Sequence, residues 1–75
     1  MTGTPLKSPV LATVRSLGVK VGDVLTSDVV PVKLEAMKTE VSVKVSRALV
    51  GKKVTGVACE VGDVVRPGQA LLFAQ

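Results

Sequence analysis

From Val30 to Val45 apolar and polar residues alternate about one midpoint. Side chains on a strand point alternately to opposite faces. If the chain reverses with Met37 and Lys38 as the two turn residues, Val30, Val32, Leu34, Val41, Val43 and Val45 share one face. Lys33, Glu35, Glu40, Ser42 and Lys44 share the other. Ala36 then faces Thr39, Glu35 faces Glu40, Leu34 faces Val41, Val32 faces Val43, and Val30 faces Val45. A slip of one residue would bury the charges, so the pattern fixes this register. Pro31 belongs at a sheet edge, or where its missing N–H would face solvent.

A second pattern runs on either side of this hairpin. Thr13–Val30 matches Lys53–Ala70 when the sequence is shifted by forty positions, and Val21-Gly22-Asp23-Val24 recurs without a gap as Val61-Gly62-Asp63-Val64. Two copies are too few for a solenoid and predict two similar halves about an approximate two-fold axis. Each half reads as strand, Gly-Asp turn, short extended piece, second turn, strand. Glycine accepts positive φ there and Asp bonds the local backbone. The second turn is Pro67-Gly68 in one half, suited to a type II bend. In the other it is Ser27-Asp28, where Asp tolerates the left-handed region at some cost. No window keeps a helical period.

The midpoint of the hairpin breaks two local rules. Two-residue hairpin loops need positive φ and therefore favour Gly, Asn or Asp. Met37-Lys38 has none of these, at a steric cost of about 1–3 kcal/mol. Glu35 opposite Glu40 adds like-charge repulsion. Local rules broken at the best-registered point of a chain mark a candidate functional site, although an ordinary exposed lysine at a loop tip reads the same way from pattern alone.

Composition narrows the classes. The 75 residues suffice for one small domain, taken as 1–75 with an ordered core of about 6–74. Valine dominates the apolar set, Phe73 is the one aromatic residue, and valine's branched Cβ favours strands, so the expectation is all-β. The chain has no histidine, which removes the commonest general base and metal ligand. Nothing near its Ser and Thr hydroxyls looks able to activate them. A non-catalytic role follows. The net charge of +4 is spread along the chain, and rings for stacking bases are missing, so a solvated basic surface is expected rather than nucleic-acid binding. Cys59 is the sole cysteine and reads as a small strand residue in a reducing compartment. No stretch has the length of a membrane helix and the start lacks an apolar signal core, so no membrane insertion is expected, and a cytoplasmic or organelle-matrix location fits.

Glu35-Ala36-Met37-Lys38, centred between two quasi-repeats with Gly-Asp turns, resembles the attachment motif of the biotinyl domain of biotin-dependent carboxylases and decarboxylases, part of the biotin/lipoyl attachment family. The resemblance runs from Ser8-Pro9 to Phe73. It departs from the family at Thr39, where a second methionine is usual, and at Ala12, which replaces a common glycine. The stretch Ser46–Lys53 lacks the usual Ala-Pro and Asp-Gly and runs a few residues long, and nothing resembles the protruding thumb of some bacterial carriers.

The resemblance implies a flattened β-barrel, a barrel-sandwich hybrid of two four-stranded antiparallel sheets with quasi-two-fold symmetry and the attachment lysine on a hairpin turn. It implies a biotin carboxyl carrier in which Lys38 holds biotin through an amide bond, with Glu35, Ala36, Met37 and Thr39 as the flank read by a biotin protein ligase. A free lysine amine titrates near about 10.4, so the ligase would have to deprotonate it. The other implied partners are a biotin carboxylase and a carboxyltransferase or decarboxylase subunit, between which carboxybiotin would travel. Two alternatives stay open: a lipoyl carrier of a 2-oxoacid dehydrogenase-type complex, and an unmodified hybrid-motif domain with a structural or binding role, which Thr39 favours.

Overall fold

The valine-rich runs become short strands. The structure, a computed structural model, describes residues 3–75; the first two residues of the expected 1–75 domain lie outside that range. In chain order the strands are β1 (Thr4–Lys7), β2 (Ala12–Leu17), β3 (Val32–Ala36), β4 (Thr39–Val43), β5 (Val54–Val57), β6 (Val64–Val65) and β7 (Ala70–Ala74). They form a four-stranded sheet in the order β4-β3-β2-β6 and a three-stranded sheet in the order β1-β7-β5. All paired neighbours are antiparallel.

The all-β class and the two antiparallel sheets are as expected. The strand count and closure are not: one sheet has three strands instead of four, and the sheets do not close into a barrel. Val24-Leu25, the counterpart of β6 in the first half, makes only an isolated bridge between Val24 and Lys53. Its neighbour there is the turn through Gly51, whose φ of 86° bends the partner out of the extended form after one bridge. The Gly51 N–H donates to the Leu25 carbonyl at 2.8 Å, so the backbone is satisfied without a ladder.

The two-fold relation is visible bond by bond. Val14 N–H donates to Asp63 O, and Val54 N–H donates to Asp23 O, both at 2.8 Å. Gly22 and Gly62 have φ of 99° and 97°. In each of these turns the Asp side chain accepts from the backbone three residues earlier, Lys20 N–H to Asp23 Oδ2 at 2.9 Å and Glu60 N–H to Asp63 Oδ2 at 2.8 Å. Gly68 is likewise at positive φ, as a type II bend after Pro67 requires. Ser27-Asp28 does turn, but Asp28 stays out of the left-handed region.

Leu25, Leu34, Val32, Val65 and Leu71 are wholly buried between the sheets, each contributing about 1.5–3 kcal/mol by leaving water. Ala12 belongs to this core, so its methyl group fits where a glycine was the pattern of the resembled family. Two local expectations need correction. Pro31 is not at an edge; it stands just before the inner strand β3, fully buried, where no ladder bond is asked of its nitrogen. Cys59 lies past the end of β5 rather than in a strand, buried with Sγ 3.6 Å from the Leu71 carbonyl. Its burial, with the charge of Asp63, pushes the thiol's pKa up. The long stretch before β5 holds one 3-10 turn, Arg47–Leu49, which drops Leu49 into the core.

Candidate functional site

The site is built on the β3–β4 hairpin. Its register is the one the alternation predicts: Val32–Val43, Lys33–Ser42, Leu34–Val41, Glu35–Glu40 and Ala36–Thr39. Val30 and Val45 fall just outside the strands, both half-buried. Val32 and Leu34 are wholly buried and Ala36 packs against the core, so the hairpin is anchored to within two residues of its turn.

Met37 and Lys38 have φ of 52° and 67°. Two successive positive values are the condition of a type I′ turn, whose twist matches that of the flanking strands. Every other positive φ among the described residues belongs to glycine. The left-handed region costs a residue with a Cβ roughly 1–2 kcal/mol, and it persists where the surroundings over-determine it. Here the paired ladder and the buried valine and leucine beneath it do so. Replacing Met37 with Asn, which enters this region more easily, is expected to stabilise the fold by about 1 kcal/mol. Thermal melting should show a rise of about 4–8 °C for a domain of this size.

The turn projects outward. Met37 is 97% exposed, and Lys38, Thr39 and Glu40 are all exposed. Among the described residues the Lys38 amine has no ion-pair or hydrogen-bond partner. The arrangement presents a primary amine at the tip of a paired hairpin, with an exposed thioether beside it and no contact among the described residues to be broken before a partner can enclose it. Of the residues singled out in sequence, Lys38, Met37 and Thr39 stand together at the tip. Ala36 is half-buried and serves packing, and Glu35 lies one step back on the outer face.

Sequence reasoning missed Arg15. In β2 the pairing with β3 shifts between Val14 and Ser16, so Arg15 is an extra residue in the strand. The bulge turns its guanidinium to Glu35, with Nη1 3.3 Å from Oε1. That pair sits beside the Glu35–Glu40 contact and relieves part of its repulsion. A signal was present: apolar residues turned to the core fall at Ala12 and Val14 but next at the half-buried Leu17, a step of three where a regular strand steps by two.

Among the described residues no cluster of three or more Asp, Glu or Cys side chains could hold a metal ion. No helix of the described residues is long and apolar enough to cross a membrane.

No protein-family model matches the chain. Over 72 residues, 96% of this chain, it is 35% identical to a protein of Emericella nidulans named "Putative urea carboxylase". The match covers 6% of that protein, so the chain spans a small fraction of the relative's length.

Proposed function

We propose that this chain is a biotin carboxyl carrier unit of a biotin-dependent carboxylase and that Lys38 is the residue to which biotin is joined. The observation that carries the reading is the conformation of the turn: a non-glycine pair held at positive φ, with an unpartnered, exposed amine at its tip. The likeness to a urea carboxylase supports the carboxylase setting, since urea systems are among those that use a biotinyl domain of the kind this sequence resembles. Its 35% identity runs across both quasi-repeats and the hairpin between them.

The residues present fit such a group. An amide needs an accessible primary amine, and Lys38 offers one without a competing ion pair among the described residues. Biotin, once attached, supplies a ureido nitrogen that takes up and releases a carboxyl group. The chain's own part is mechanical. β3 and β4 hold the tip in one place, the lysine's four-carbon stem gives reach, and Met37 supplies a soft apolar contact that adapts to different enzyme surfaces. Tethering keeps the carried group at an effective concentration on the order of mM near each catalytic site. The chain has no histidine for acid–base work, in keeping with a carrier whose partners, a biotin protein ligase, a biotin carboxylase and a carboxyltransferase, perform the chemistry.

Parallel incubation with a biotin protein ligase plus biotin, and with a lipoate ligase plus lipoate, tests this reading. Streptavidin-reactive protein in the first reaction is expected. Lipoylation alone would assign the chain to acyl transfer. No label in either reaction, with the protein folded, would leave only a structural or binding role.

A further inference from the structure

The outer face of the four-stranded sheet carries a row of three positions, Thr13, Glu35 and Glu40, that runs across β2, β3 and β4 one residue pair short of the turn. Arg15, placed by its bulge, pairs with Glu35 at 3.3 Å. No such partner exists for Glu40 among the described residues, and it is exposed. The two opposed carboxylates are therefore unequal: one is compensated from within the chain, and the other faces outward two residues from Lys38. Resting on the carrier reading above, we propose that Glu40 is a specificity-determining docking anion for the enzyme that modifies Lys38, and that Arg15 assigns it this role by occupying Glu35. The partner surface it fits is a basic side chain beside the ligase's active site.

Physical expectations follow from the site's exposure. A rim charge acts on encounter and its salt dependence more than on the chemical step. An interaction made equally in the ground and transition states appears in KM and leaves kcat alone. Glu40→Gln is thus expected to raise the ligase's KM for the protein about 3- to 10-fold, with kcat unchanged and the effect shrinking as salt screens the pair. Removing Arg15 frees Glu35 to serve in Glu40's place. Arg15→Ala alone is expected to lower KM or leave it equal, and in that background Glu40→Gln should lose most of its effect. A purely structural role for either residue would not produce that dependence of one substitution on the other.

The experiment measures initial rates of biotin incorporation by a purified biotin protein ligase into the full chain. Wild type, Glu40→Gln, Arg15→Ala and the double variant are compared at low and high salt. Circular dichroism melts confirm that each variant is folded, as expected for exposed positions. A KM penalty from Glu40→Gln that fades with salt and in the Arg15→Ala background supports the assignment. An equal penalty in both backgrounds, a penalty confined to kcat, or no penalty at all would overturn it. Absence of label on wild type would instead overturn the carrier reading itself, so the two failures are distinguishable.

Discussion

Lys38→Arg is expected to abolish biotin incorporation completely while leaving the melting temperature within about 2 °C of wild type. The guanidinium keeps the positive charge and most of the stem but holds its proton far more tightly than a lysine amine, so no nucleophilic nitrogen can be generated. The side chain is exposed and has no partner among the described residues, so none of their contacts depends on its head group. The chain's other lysines offer no substitute. Lys7 closes strand β1, Lys33 lies half-buried on the outer face of β3, Lys20 pairs with Asp23 at 3.5 Å, and Lys44, Lys52 and Lys53 lie in connections away from the turn. None stands at a positive-φ hairpin tip. Intact mass after incubation with ligase, biotin and ATP checks the outcome. A variant labelled as well as wild type would remove Lys38 from the account.

Leu34→Ala is expected to have the largest effect on stability. Leu34 is wholly buried in β3, opposite Val41 and beside Val14 of β2. Truncation removes its burial and leaves a cavity that neighbouring strands can only partly fill, a loss of about 2–5 kcal/mol. Small domains of this size start near the low end of about 5–15 kcal/mol. Much of the variant population should be unfolded at 37 °C. The hairpin would also lose the packing that holds Met37 and Lys38 at positive φ, so modification should fall along with stability. Urea unfolding followed by circular dichroism measures the change directly. A shift below about 1 kcal/mol would show that the core beneath the hairpin is not what over-determines its turn.

Much of this arrangement is legible in the chain itself, because strict alternation about a midpoint leaves only one register. The pairing of Leu34 with Val41 and of Glu35 with Glu40 follows from parity alone. So does the relation between the Gly22 and Gly62 turns, since equal sequence there meets equal backbone demands. What parity cannot reveal is where a strand stops. Val24-Leu25 has the same apolar character as β6, yet its partner turns away at Gly51, and the expected fourth strand shrinks to a bridge. Leu49 enters the core through a single 3-10 turn too short to show a period. Arg15 escaped notice because a bulge shifts alternation by one residue, which looks like noise until the partner strand is seen. At the tip, broken turn rules pointed to Lys38 as a place, and the geometry adds a conformation and an unpartnered amine.

Peptide-resolved mass spectrometry of the ligase-treated wild-type protein tests the central claim most directly. The account predicts one biotinyl group per chain, confined to the peptide that contains Lys38. A label on any other lysine, or none on a chain shown to be folded, would contradict it.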